Sequence, residues 1–198
     1  ARMAWSRRRP FPRSISRHRR RHEVRSRPAR TQTDPLPLIT LIGLPGVGKS
    51  TVGRHLARNL GCRFVDSDAE IEKRLGCTIR DFFEREGEAA FREVERKVIA
   101  ELVSAEGGVL ATGGGAVLSE ANRQVLRAGS TVVYMRSKPE DLFRRLKHDT
   151  HRPLLQVRDP LRKLRELFMQ REPLYRRTAH FTIDTGRPSI ACHSIGLP

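Results

Sequence analysis

Cysteine is scarce in this chain, and its pairing motifs are absent. The 198 residues include three, Cys62, Cys77 and Cys192, an odd number with neither C-x-x-C nor zinc-finger spacing, so they read as reduced thiols of a cytosolic protein. No run of eighteen apolar residues occurs, which excludes a membrane-spanning helix on length. No internal repeat of fixed period is evident, and the length suits one domain with a single substantial core. Acidic residues are also short, 22 against 39 Lys and Arg, for a formal charge of +17.

That charge is not spread evenly. Residues 1–30 hold twelve Arg and one acid, a net of +11, which leaves +6 for the rest. A segment so rich in Arg, Ser and Pro buries too little apolar surface to offset its ordering entropy, so residues 1–35 are expected to be a disordered extension. Three readings of it stand open. It is a solvated leader, from a start assigned too early with Met3 or a later site as the true one; or an Arg-rich, acid-poor organelle transit peptide; or a nonspecific nucleic-acid attractor. Trp5 and Phe11 are its only aromatics, so stacking platforms are few. No apolar run follows the charges, which argues against a secretory signal.

What is present begins at "PLITLIGLPGVGKSTVGRHLARNL". Leu38 to Ile42 reads as a short buried strand, and Val52, Leu56, Ala57 and Leu60 recur at helical spacing. Between them, Gly43 to Ser50 fits G-x-x-x-x-G-K-[ST], in which glycines let successive backbone N–H groups face an anion in front of a helix N-terminus. A chance Gly-rich turn is the bland alternative. The phosphate reading assigns Gly43, Pro45, Gly46, Val47, Gly48, Lys49, Ser50 and Thr51 to ATP, with Lys49 on the β- and γ-phosphates and Ser50 on Mg²⁺.

Strand and helix then alternate. A strand near Arg63 to Val65 leads into the helix "AEIEKRL"; "TIRDFFEREGEAAFREVERKVIAELVSA" places Phe91, Val94, Val98 and Leu102 on one helical stripe. "GVLATGGG" is a strand and glycine turn, "SEANRQVLRAG" a helix, "STVVYMR" a strand and "KPEDLFRRLKHD" a helix. "THRPLLQVRDP" carries two prolines and is a loop. "LRKLRELFMQRE" is a helix interrupted or ended by Pro173, and "HFTIDT" is the last strand. This alternation implies an α/β fold, a three-layer doubly wound five-stranded parallel sheet with ligands at the carboxyl ends of its strands.

Three features join the phosphate loop. Asp66 and Asp68 stand two apart at a strand end; one could serve the metal and the other a hydroxyl acceptor, while a helix N-cap is the local alternative for Asp68. Arg92 and Glu95, i and i+3, are either a surface salt bridge or an Arg fork fixed for a substrate carboxylate. "TGGG", Thr112 to Gly115, lets backbone N–H groups approach a small polar ligand, at the place where an aspartate of the Walker-B type would be sought.

Together, "GLPGVGKSTVG", "FVDSDAEIE", "FFEREGEAAFREVE", "ATGGGAV", "RPLL" and "REPLYRRTA" resemble the shikimate kinase family in content and order, over about residues 36–185. The resemblance implies a nucleoside-monophosphate-kinase-like P-loop domain over residues 36–198, with a mobile lid at about 147–159. The implied reaction is transfer of the ATP γ-phosphoryl group to the 3-hydroxyl of shikimate, in aromatic amino-acid (chorismate) biosynthesis.

By position, Ser50 and Asp66 would serve Mg²⁺, and Asp68 would hold and polarise the acceptor hydroxyl. Arg92 and Arg171 would grip the shikimate carboxylate, with Gly113, Gly114 and Gly115 lining the pocket and Phe83 and Phe91 walling it. Arg152 would be the lid arginine acting on the transferring phosphate beside Lys49, and Arg145 and Pro188 would sandwich adenine. A cytoplasmic monomer with no membrane partner fits this reading, a plastid enzyme with a cleaved transit peptide being the lesser alternative.

One departure stands out. After "IDTGRPS" the family continues into a C-terminal helix, whereas "IACHSIGLP" has few apolar residues, a Gly and a final Pro. The alternatives in function are another small-molecule kinase of this fold, for gluconate or a nucleoside monophosphate, an NTPase stimulated by nucleic acid, or an inactive regulatory homologue.

Overall fold

Five strands interleave with six α-helices, two of the crossings carrying a helix pair, in a computed structural model that describes residues 36–105, 107–146 and 158–185. They run β1 (Leu38–Ile42), α1 (Lys49–Leu60), β2 (Phe64–Asp66), α2 (Ser67–Leu75), α3 (Ile79–Ser104), β3 (Gly108–Ala111), α4 (Glu120–Gly129), β4 (Thr131–Arg136), α5 (Pro139–Leu146), α6 (Pro160–Thr178) and β5 (Phe181–Asp184), with a 3₁₀ turn at Ala116–Leu118. The sheet order is β2-β3-β1-β4-β5 and every pairing is parallel. All four residues of β3 are buried. Because side chains alternate across a strand, burial of consecutive residues means helices cover both faces, and the expected three-layer doubly wound α/β fold is what forms.

Register positions the site. Leu41 pairs with Ala111, and Ala111 pairs with Asp66, so β1, β3 and β2 end in one row. The segment that leaves each strand therefore emerges beside the other two: the phosphate loop after β1, the glycine triplet after β3, and the two aspartates at the end of β2. The chain reverses its direction of winding at β1, the kind of switch point where doubly wound sheets bind ligands.

The main core lies between sheet and helices, with Leu41, Ile42, Leu110, Tyr134 and Met135 from the strands against Ile99, Leu126, Leu142, Leu164 and Tyr175. A second, smaller cluster of Ile71, Phe91 and Val98 joins α2 to α3, with Phe82 and Phe83 packed on it. Among the described residues no helix is long and apolar enough to cross a membrane.

Four local expectations need correction. Val52 faces solvent at 40 % exposure, and the sheet-facing place in α1 belongs to Gly53, where an added Cβ would come within 2.5 Å of the Phe64 ring. The long helix α3 is two helices merged across Gly87, whose φ of 83° and ψ of 173° are not helical. Its buried residues are Phe91, Glu95, Val98 and Ile99, with Val94 and Leu102 half-buried against the same cluster, so a carboxylate shares the side that periodicity made apolar. Finally, α6 continues through Pro173 to Thr178; its last turn is held by burial of Tyr175 and Thr178, which outweighs the one backbone hydrogen bond that proline forgoes. The proposed lid and the segment after Thr185 lie largely outside the described residues.

Candidate active site

The phosphate loop takes its shape from left-handed glycines: Gly46 has φ 83° and Gly48, the residue that caps α1, has φ 96°. Only glycine adopts these angles without strain, and in a loop of this pattern they let backbone N–H groups face an anion in front of a helix N-terminus. The remaining glycine, Gly43, is needed for space, since a Cβ there would lie 2.6 Å from the Met135 carbonyl oxygen. Lys49, buried at the head of α1, crosses the loop and donates to the carbonyls of Gly43 at 2.9 Å and Leu44 at 3.0 Å. Val47 is buried beneath the loop, and Thr51 is exposed on the first turn of α1.

Ser50 ties this loop to β2. Its hydroxyl donates to Asp66 Oδ2 at 2.6 Å, and the other oxygen of the same carboxylate accepts from the Asp68 N–H at 3.1 Å. The N-cap of α2 is therefore Asp66, and Asp68 stands in the first turn with its carboxylate free of that duty. Burial, reinforced by the neighbouring Asp66 charge and opposed by Lys49, raises the Asp68 carboxyl to a pKa of about 6. A carboxylate poised near neutrality beside a phosphate loop is suited to proton exchange with a hydroxyl.

The glycine triplet is where the elements converge. An added Cβ on Gly113 would fall 2.4 Å from Asp68 Oδ1, on Gly114 2.6 Å from Pro45 Cδ, and on Gly115 2.8 Å from an Arg92 terminal nitrogen. Each glycine is thus the place where a different functional element approaches the backbone. Hydrogen bonds fix the triplet from both sides: the Gly113 N–H donates to buried Ser67 Oγ at 2.9 Å, and the Gly114 carbonyl accepts from Arg171 Nη1 at 3.1 Å and Tyr175 Oη at 2.6 Å.

Arg92 is no surface pair. Its Nη1 donates to Glu95 at 2.8 Å, and its Nη2 to Glu88 at 2.9 Å. Glu95 is only 1 % exposed, and burial holds its carboxyl above the usual range although Arg92 pulls it down. Alongside, the Phe83 and Phe91 rings pack with centroids 4.6 Å apart and planes tilted at 34°, and the Arg92 guanidinium lies 5.3 Å from the Phe91 centroid.

Arg145, in the last turn of α5, bonds Ser137 Oγ with one guanidinium nitrogen and is not drawn into the triplet. Arg152 and Pro188 fall outside the described residues. Sequence reasoning passed over Ser67, Tyr175 and the depth of Glu95. The first two sit inside the family's motifs, between the aspartates and one helical turn after Arg171, so position was the available signal.

As chemistry, the loop with Lys49 suits a polyphosphate, and a hydroxyl and a carboxylate already within hydrogen-bond reach suit a hard cation that needs few protein ligands, as Mg²⁺ does. Asp68, Arg92 and Arg171, gathered on one glycine triplet, suit a small molecule bearing both hydroxyl and carboxylate groups.

Known proteins carry the same arrangement of sequence. A shikimate kinase from Paracidovorax citrulli is 60 % identical over 151 residues, 75 % of this chain and 82 % of that protein, and one from Thiobacillus denitrificans is 58 % identical over 76 % and 82 %. Among solved structures, a shikimate kinase from Acinetobacter baumannii in complex with shikimate superposes with a TM-score of 0.70 at 51 % identity, covering 75 % of this chain and 83 % of that one. One from Bacteroides thetaiotaomicron does so at 0.72 and 32 % identity, over 77 % and 89 %. A sequence model described as shikimate kinase matches residues 45–194, which takes in the phosphate loop from Pro45 onward, both aspartates, the glycine triplet and the four arginines Arg92, Arg145, Arg152 and Arg171; the chain belongs to the shikimate kinase family.

Proposed function

We propose that the chain transfers the γ-phosphoryl group of ATP to the 3-hydroxyl of shikimate, giving shikimate 3-phosphate and ADP. The observation that carries this reading is the glycine triplet, against which Asp68, Arg92 and Pro45 of the phosphate loop all pack. It joins an acceptor site to a donor site within a few ångströms of backbone.

Transfer forms a bond between the acceptor oxygen and the γ-phosphorus and breaks the bond from that phosphorus to the β–γ bridging oxygen. The hydroxyl proton goes to Asp68, ionised above its pKa of about 6. Arg92 and Arg171 hold the acid's carboxylate, so the hydroxyl is presented from the other side of the ring. Phe83 and Phe91 supply the apolar wall. Lys49 and the loop N–H groups fix the β- and γ-phosphates, and Arg152 acts on the transferring group from the lid. Mg²⁺, held through Ser50 and Asp66, supplies charge neutralisation on the phosphate oxygens. Arg145 and Pro188 flank adenine.

Residues 1–35 contribute no motif residue, and we hold them dispensable for turnover. A cytoplasmic monomer fits a site built within one chain and the free thiols Cys62 and Cys77. The product would serve aromatic amino-acid biosynthesis.

A coupled assay for ADP release tests the reading. ATP turnover should depend on shikimate, and a chain lacking residues 1–33 should keep it. Turnover supported equally by gluconate or a nucleoside monophosphate, or stimulated by RNA and indifferent to shikimate, would sink it.

A further inference from the structure

The motif "REPLYRRTA" contributes Arg171 to the acid-binding reading, but it also contains Tyr175, one turn further along α6. Its hydroxyl donates to the Gly114 carbonyl at 2.6 Å, the oxygen that also accepts from Arg171 Nη1 at 3.1 Å. Tyr175 is 1 % exposed, and its ring stacks on that of Tyr134 in β4, with centroids 5.0 Å apart and planes at 22°. Two buried rings therefore hold the hydroxyl on one point of the glycine triplet, and a peptide with two donors on its oxygen has little freedom to rotate.

We propose that Tyr175 is a positioning residue for recognition of the substrate carboxylate, locking the Gly114 peptide and, through the shared carbonyl, the Arg171 fork. This rests on the function proposed above. Burial also holds the phenol well above its ordinary pKa, so the hydroxyl stays a neutral donor across the working pH range. Arg171 supports the assignment from its own side. Its Nε is buried and has no hydrogen-bond partner among the described residues, so the rest of the fold does not fully fix its plane. The shared carbonyl is a restraint that this guanidinium needs. A wedge on the same peptide is Pro45, against Gly114 on the phosphate-loop side, so freedom gained by Gly114 would be expressed toward Arg171.

The test is Tyr175→Phe in the full chain, assayed for shikimate-dependent ADP release. The variant keeps the ring stack and its volume, and the Gly114 oxygen keeps Arg171. The expected result is a KM for shikimate raised about tenfold, the size that removal of a well-formed hydrogen bond gives, with kcat and the KM for ATP within about twofold. Tyr134→Phe, which removes a buried hydroxyl that has no hydrogen-bond partner among the described residues, should leave the KM for shikimate unchanged and so serves as the control for the stack. Combined with Arg171→Lys, Tyr175→Phe should add little further loss, because both act on one interaction.

An unchanged KM for shikimate, equal losses for ATP and shikimate, or full additivity with Arg171→Lys would overturn the inference. So would a fall of more than about 10 °C in melting temperature, which would make the hydroxyl a folding element instead. If the unaltered chain does not phosphorylate shikimate, the proposed function fails first, and this inference goes with it.

Discussion

The carboxylate of Asp68 rests on the Cα of Gly113, with no space for a methyl group between them: a Cβ at residue 113 would sit 2.4 Å from Oδ1 and 3.2 Å from Cγ. The Gly113 N–H is bonded to buried Ser67, so the backbone cannot retreat without breaking that bond. Gly113→Ala should push the Asp68 carboxylate away from its position. The expected outcome is a kcat lowered at least about tenfold, with destabilisation of about 1–3 kcal/mol from overpacking. Steady-state kinetics beside thermal unfolding check it, and wild-type kcat in a folded variant would show that the position of Asp68 is not critical.

Asp68 also sets an expectation for pH. Its carboxyl rises from the ordinary 3.8 to about 6, chiefly through burial. The base must be ionised, so kcat/KM for shikimate should be flat above that value and fall about tenfold for each further pH unit below it.

Stability runs the other way. Between about pH 4 and 6 the native state holds a proton that the unfolded chain has released, so this group's contribution is full below its unfolded pKa and is lost as pH rises through its native one. At pH 7 the buried charge costs on the order of 2–3 kcal/mol. Asp68→Asn loses the general base and should be slower, by about 10²-fold or more in kcat, yet more stable than the parent at pH 7 in Mg²⁺-free buffer. The stability gain should vanish near pH 4. Equal melting temperatures at pH 7 would show that the site solvates the charge better than its burial suggests.

These residues differ in how far the sequence exposed them. The phosphate loop was legible because its glycines, Lys49 and Ser50 are contiguous and their angles are local requirements. The order of strands and helices was legible because apolar period and turn residues are local too. Depth was not. Glu95 lies on the buried stripe of α3, and Val52 on the exposed side of α1, because neighbours across the fold decide which face is inward. The same holds for capping: Asp66 and Asp68 carry the same group, and only the entry angle of α2 gives the cap to Asp66. Tyr175 matters through Gly114, sixty-one residues away in sequence, a relation no local pattern encodes.

Asp66 performs two tasks, accepting from Ser50 with one oxygen and capping α2 with the other. Asp66→Asn keeps an oxygen acceptor, and Asn is as good an N-cap as Asp, so the fold should hold. What it loses is the second oxygen, the one that accepts from Ser50, and with it the charge offered with Ser50 to Mg²⁺. Turnover at saturating ATP and shikimate should need more Mg²⁺ and be partly restored by excess, whereas Asp68→Asn should not be restored. A Mg²⁺ titration of both variants decides this; equal rescue would make Asp68 a metal-shell residue and leave the acceptor activated by position alone.

Arg92 faces two carboxylates of its own helix and the backbone of Gly115. Three of its five N–H groups are committed, Nε and Nη2 to Glu88 and Nη1 to Glu95, which leaves one on each terminal nitrogen, the pair of atoms packed on Gly115. Lysine cannot reproduce this. Its single ammonium could satisfy Glu95 or reach toward a ligand, but it has no planar fork to do both. Glu95 is buried, so the ammonium should be drawn to it and away from the ligand. Arg92→Lys should therefore raise the KM for shikimate by at least about tenfold while leaving ATP affinity close to normal, and the protein should remain folded because the buried carboxylate keeps a cation. Measured binding of both ligands distinguishes this from a general defect: parallel losses for ATP and shikimate would make Arg92 a structural partner of Glu95, and an unchanged KM for shikimate would remove it from the acid-binding site.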